Sequence, residues 1–207
     1  MKFDKKYRFN ETWFDHYIAV WDELFDKYDE EIVNVLEIGC YEGRATVYLC
    51  EKVLKEGANY DVVDTFQGSE VESGMGEAIN RLKDNPSLIY NNFIHNTSFF
   101  PKINFKVHKG ISQYILPEIQ KNNNKEYDLI YIDASHRGDD TFVDAYYAHK
   151  MLKKGGILIF DDFGWVDKEQ QDLIVTRPEL GIKTFLSMYE HLYAKVHIGY
   201  QVMLVRI

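Results

Sequence analysis

Three carboxylates and an imidazole are the residues with the most chemical promise. Asp133 and His136 close the stretch YIDASH (Tyr131 to His136), and Asp161 and Asp162 lie in FDDFGW (Phe160 to Trp165). Each stretch begins as an apolar strand and ends in charge. Acids brought together away from water repel one another, which raises their pKa values. A hard divalent cation such as Mg²⁺ removes that conflict by taking carboxylate oxygens, with waters or substrate hydroxyls filling the remaining positions. Asp133, Asp161 and Asp162 are therefore the expected metal ligands. His136 lies three residues beyond Asp133, within reach of a hydroxyl held at such an ion. With an ordinary pKa of about 6.5, an imidazole there can take the hydroxyl proton, and the ion makes that proton easier to remove. The plainer alternative is that Asp161 and Asp162 cap the next segment, Asp133 binds a cofactor or a backbone amide, and His136 caps a helix.

A second group of candidates surrounds the loop EIGCYEGR (Glu37 to Arg44). A dinucleotide fingerprint would need glycines at 39, 41 and 44. Here Tyr41 and Arg44 take two of those places and obstruct a pyrophosphate, so a nicotinamide cofactor is disfavoured. Gly39 and Gly43, with Cys40 between them, still allow close backbone approach by a ligand without a pyrophosphate, such as S-adenosylmethionine. Asp64, ending the next strand, suits the hydroxyls of a ribose. Glu37 suits a cationic amino group, and Ser112 with Gln113 suits an adenine. Any one of these alone reads as a cap, a surface charge or, for Cys40, a small packing residue. Their recurrence at successive strand ends is the informative pattern.

Those positions require a particular order of elements. Strands are expected at Ile32 to Cys40, Tyr60 to Phe66, Ile103 to Gly110, Tyr127 to Ala134 and Gly156 to Phe163. Helical periodicity lies between them, as in Arg44 to Gly57 and in DTFVDAYYAHKMLKKGG. Short apolar strands alternating with helices imply an α/β fold with a mostly parallel sheet covered on both faces. The ending AKVHIGYQVMLVRI reads as a hairpin. An amphipathic helix with Trp13, Tyr17, Val20, Trp21 and Leu24 on one side precedes the first strand. The expected organisation is a helical segment over 1–30 and one domain over 31–207. Residues 67–98 form a lid-like insertion, longer than a simple crossover needs.

At 207 residues the chain suffices for one well-buried domain, and 45% hydrophobic with 28% charged residues is a globular composition. A net charge of −9 disfavours a nucleic acid as partner, because such affinity rests on Lys and Arg neutralising phosphates. The N-terminal MKFDKKYRFNETWF has no signal-peptide pattern and no segment has the length of a membrane span, so a cytoplasmic protein without a membrane partner is expected. Cys40 and Cys50, the two cysteines, form neither a disulfide framework nor a zinc pattern. The N-terminal aromatics Trp13, Phe14 and Trp21 either cover the sheet or join a second copy in a homo-oligomer.

VLEIGCYEGRATVYL, DVVDTFQGSE, FKVHKGISQYILPEI, the run from YDLIYIDASH through FDDFGW, and the tail from RPELG onward resemble class I S-adenosylmethionine-dependent methyltransferases. The resemblance is closest to the macrocin-type sugar O-methyltransferases and more distant to catechol-type O-methyltransferases. It covers nearly the whole chain from Trp13. It implies a Rossmann-like, seven-stranded sheet with an antiparallel last strand. By position, it implies that Glu37, Gly39, Gly43 and Asp64 bind cofactor, that Asp133, Asp161 and Asp162 bind metal, and that His136 is the base. Tyr41 departs from the family's middle glycine. The expected activity is methylation of a hydroxyl on a small-molecule acceptor such as a sugar, with Mg²⁺. An RNA cap or tRNA methyltransferase and a non-catalytic module on the same fold are the alternatives.

Overall fold

The computed structural model describes residues 2–68, 81–122, 126–167 and 174–207. Its centre is a seven-stranded sheet of β1 (Asn34–Ile38), β2 (Asn59–Asp64), β3 (Asn104–Lys109), β4 (Tyr127–Ile132), β5 (Leu152–Phe160), β6 (Tyr193–Ile198) and β7 (Val202–Arg206). The order across the sheet is β3-β2-β1-β4-β5-β7-β6. The pairs from β3 through β5 are parallel, and β7 runs antiparallel to both β5 and β6. The expected mostly parallel sheet and terminal hairpin are both present.

Helices α1 (Ile18–Lys27), α2 (Arg44–Lys52), α3 (Leu88–Thr97), α4 (Ser112–Asn122), α5 (Gly138–Met151) and α6 (Pro178–Tyr189) surround the sheet. Two apolar layers fill the space between. Trp21, Tyr48, Tyr60, Phe93 and Tyr131 belong to one, and Leu116, Ile130, Ala145, Phe160 and Phe185 to the other. β4 is buried at every position, as a central strand covered on both faces must be. No helix among the described residues is long and apolar enough to cross a membrane.

Two sequence expectations shift. The helix expected to run through DTFVDAYYAHKMLKKGG stops at Met151, and β5 starts at Leu152, because the chain turns extended there and Leu152 pairs with Tyr127. Ahead of α1, Trp13–Tyr17 is a 3₁₀ turn, whose tighter winding alters the face. Phe14, Ile18 and Trp21 are buried, whereas Trp13 points outward. Of the lid-like insertion, 69–80 lies outside the described residues, and Leu88–Thr97 forms α3.

Candidate active site

Parallel register brings the acids together. Ile132 pairs with Phe160, so Asp133 and Asp161 leave neighbouring strands side by side. The ladder continues past the strand ends: the Asp133 amide donates to the Ile38 carbonyl at 2.8 Å, and the Asp161 amide donates to the Ile132 carbonyl at 2.9 Å. The next residue, Asp162, adopts a left-handed φ of 57°, a conformation Asp tolerates better than most residues. That turn sends its carboxylate back toward β4. His136 Nε2 stands 2.5 Å from Asp162 Oδ2, and the imidazole stacks on Trp165 with ring centres 4.4 Å apart. One ligand atom each from Asp133, His136 and Asp162 lies within 4.8 Å of the others.

Asp161 sits differently. It is only 8% exposed, and its oxygens are already engaged. Gln201 Nε2 donates to Oδ2 at 2.8 Å, Tyr131 donates its hydroxyl to the same oxygen, and the Asp162 amide donates to Oδ1 at 2.8 Å. The Tyr131 hydroxyl also lies 3.0 Å from Asp133 Oδ2. Asp133 is exposed to solvent at its edge and crowded by protein around it. Desolvation, followed by the charges of Asp161 and Asp162, pushes its pKa well above the usual carboxylate range. Asp161 is raised to about 6, by burial first and then by Asp162. Tyr17 and Tyr200 stack at 5.8 Å beside the acids, and burial together with Asp161 and Asp162 raises both phenols.

The first strand end is built around Gly39. Its φ is +83°, and a Cβ there would fall 2.0 Å from the Asp133 carbonyl oxygen, so only glycine lets the β1 and β4 ends approach this closely. Asp64 clamps the loop. Its Oδ2 accepts the Cys40 and Tyr41 amides at 2.7 and 2.8 Å, and its Oδ1 accepts the Phe66 amide at 2.6 Å. Amides spent on Asp64 are not directed at a phosphate, in keeping with the loop's departure from the dinucleotide pattern. Gly43, at φ +78°, precedes α2 and faces Phe93. Cys40 is buried beside Asp64, and burial pushes its thiol up.

Glu37 is turned inward. It is 0% exposed, accepts hydrogen bonds from Thr46 Oγ1 at 2.5 Å and Tyr60 OH at 2.8 Å, and burial lifts it to about 7. Ser112 opens α4, buried at the end of the β3 connection. It lies next to Asp144 on α5, which desolvation raises to about 7. Sequence reasoning missed Tyr131, Gln201, Tyr17, Tyr200 and Trp165. Tyr131 was accessible, since strand alternation puts residues two apart on one face and it precedes Asp133 by two. Gln201 reaches Asp161 across 40 positions of sequence, a separation that carries no local signal.

Residues 36–163 match the family model described as a methyltransferase domain. Among curated proteins none matches the chain. Among solved structures, the chain is similar to an O-methyltransferase from Bacillus cereus in complex with SAH, at 16% identity and a TM-score of 0.54, over 93% of this chain and 90% of that one. It is similar to CalS11, a TDP-rhamnose 3'-O-methyltransferase of calicheamicin biosynthesis, at 15% identity and a TM-score of 0.56, over 90% of this chain and 77% of that one. A third is the MycE methyltransferase of the mycinamycin pathway in complex with Mg, SAH and mycinamycin VI, at 14% identity and a TM-score of 0.55. There 97% of this chain matches 51% of the longer protein. At these identities the likenesses establish the fold.

Proposed function

The chain belongs to the family of methyltransferase domains, and we propose that it is an S-adenosylmethionine-dependent, Mg²⁺-dependent O-methyltransferase acting on a hydroxyl of a small molecule such as a sugar. The observation that carries this reading is the convergence of Asp133, Asp162 and His136 beside the Gly39 loop. The donor set fits the ion. Asp133 and Asp162 offer carboxylate oxygens, and Asp133 is held above its ordinary pKa by desolvation first and then by the neighbouring acids, a cost that a divalent charge offsets. Asp161, the third acid of the expected ligand set, backs them with its oxygens hydrogen-bonded. When bound, the ion makes a nearby hydroxyl more acidic. S-adenosylmethionine, when bound, supplies a sulfonium methyl whose carbon accepts an oxygen lone pair while the carbon–sulfur bond breaks to leave a thioether.

The chain's own part is positional and acid–base. His136 receives the acceptor's proton while its Nε2–H donates to Asp162, whose carboxylate stabilises the imidazolium that forms, and Trp165 fixes the ring plane. Gly39, Cys40, Gly43, Asp64 and Ser112 shape the place for the nucleoside, with Asp64 retaining lone pairs for ribose hydroxyls beyond those given to the loop. Glu37, buried beneath that loop, holds α2 and β2 in place for it. Tyr17, Tyr200 and Trp165 give the acid floor aromatic walls, which suits an acceptor with both hydroxyl edges and apolar C–H faces such as a sugar ring. The N-terminal segment closes one side, since Asn10 donates from its amide to Glu42 at 2.6 Å and Arg81 pairs with Glu11.

The test is incubation with isotope-labelled S-adenosylmethionine, Mg²⁺ and a metabolite extract, followed by mass spectrometry of the labelled product. A methyl ether that forms with Mg²⁺ and disappears with EDTA is expected. Calorimetry finding no affinity for S-adenosylmethionine would refute the reading in favour of a non-catalytic module.

A further inference from the structure

Three side chains far apart in sequence meet behind the acids. Trp21 of α1 is 0% exposed, Tyr131 of β4 and Gln201 of the β6–β7 turn are each 1% exposed, and all three lead to Asp161. Trp21 Nε1 donates to Gln201 Oε1 at 2.8 Å. An indole N–H can only donate, so this bond fixes which way the Gln201 amide faces. Its NH₂ then points at Asp161 Oδ2, 2.8 Å away. Tyr131, whose ring meets Trp21 edge to face at 5.0 Å, brings its hydroxyl to the same oxygen and to Asp133 Oδ2. The other Asp161 oxygen accepts the amide of Asp162, the residue in the left-handed turn. One relay thus touches each of the three acids.

We propose that Gln201 and Tyr131 are positioning residues that hold Asp161 and, through it and the Tyr131 hydroxyl, set Asp162 and Asp133 for a divalent cation, with Trp21 setting Gln201. The inference rests on the Mg²⁺ reading above. Close acids repel, and without fixed donors their side chains would turn apart. The relay holds them converged before any ion arrives. Outer partners of metal-holding carboxylates generally contribute to ion affinity by fixing orientation.

The experiment titrates Mg²⁺ into wild-type protein, Tyr131→Phe and Gln201→Met by calorimetry without acceptor, and separately titrates S-adenosylmethionine into each. Both substitutions keep side-chain bulk and remove a donor. The expected result is Mg²⁺ affinity lowered roughly 10- to 100-fold in each variant, with affinity for S-adenosylmethionine unchanged. A general loosening of the fold would lower both affinities, and that result would overturn the assignment. So would variants that bind Mg²⁺ as tightly as wild type, leaving the Mg²⁺ reading intact. Wild-type protein that binds no divalent cation would overturn the Mg²⁺ reading and the relay's role together. Should Gln201→Met fail to fold, Tyr131→Phe decides the question alone.

Discussion

The two halves of the sheet's carboxyl edge differ in how many of their acids are left facing one another. At the β1–β2 side every acid is given donors. Asp64 takes three backbone amides. Glu42 takes the Asn10 amide, the Asn10 side chain and the Asn92 side chain, and Glu37 takes Thr46 and Tyr60 on Oε2, its buried Oε1 having no hydrogen-bond partner among the described residues. At the β4–β5 side Asp161 is given donors by Gln201, Tyr131 and the Asp162 amide, whereas Asp133 and Asp162 lie close to each other and to His136. An acid already satisfied by its own chain organises a loop. Acids left facing one another are a site waiting for positive charge. Carboxylate identity alone does not separate these roles; the supply of N–H and O–H groups does.

The sharpest way to break the contrast is at His136. His136→Ala should lower turnover with the true acceptor by roughly 10²- to 10⁴-fold, the usual worth of a positioned general base. Affinity for S-adenosylmethionine, measured by calorimetry, should be unchanged, because the Gly39 loop and the β1–β2 side of the edge are untouched. Turnover equal to wild type would remove His136 from the chemistry.

Mg²⁺ should stabilise the β4–β5 side specifically. At a concentration 100 times its Kd the ion adds about 2.7 kcal/mol to unfolding, read as a rise in Tm by scanning calorimetry at neutral pH. In Asp162→Asn most of that rise should vanish. If Asp64→Asn abolished the rise equally, the two halves of the edge would not be independent.

How much of this was legible beforehand follows the same division. YIDASH and FDDFGW fixed Asp133 and Asp161 as neighbours because parallel strands place their ends in register, a consequence of pattern alone. The Gly39 turn was legible as well, since a glycine between strand and helix signals close backbone approach. The inward turn of Glu37 into the layer beneath α2 carries no local signal, because which strand face is covered depends on packing. Gln201 reaches Asp161 across 40 positions, and Trp21 bonds Gln201 across 180, separations that no local spacing encodes. β5 starts earlier than its composition suggests for a related reason: the Lys153–Gly155 stretch does turn, with Gly155 at φ 78°, but it lies as an irregularity inside the strand between the paired Leu152 and Ile157.

On the β1–β2 side, Asp64→Asn tests the loop clamp. An amide keeps one acceptor oxygen and replaces the other with a donor that faces the Cys40 and Tyr41 amides or the Phe66 amide. Leaving such buried groups unsatisfied costs about 1–3 kcal/mol. A lowered midpoint in urea and weaker binding of S-adenosylmethionine are expected, with Mg²⁺ affinity retained. Loss of Mg²⁺ binding with nucleoside binding intact would invert the assignment of the two halves.

The smallest effect is a matter of protons at Glu37. Its folded pKa of about 7 stands above the ordinary carboxylate value of 4.5 because burial disfavours the charged form. The folded protein therefore holds a proton there that the unfolded chain has released. Stability from this group is full below about pH 4.5 and is lost as pH rises toward 7, with a slope of at most about 1.4 kcal/mol per pH unit. Asp144 and Asp161, also raised, slope the same way, so the informative quantity is a difference between proteins. Glu37→Gln keeps the shape of the protonated acid and removes the titration. Between pH 5.5 and 6.5 its Tm should fall less than that of wild type. Equal slopes in the two proteins would mean that Thr46 and Tyr60 hold Glu37 ionised across that range, and that this half of the edge tolerates its buried charge through hydrogen bonds alone.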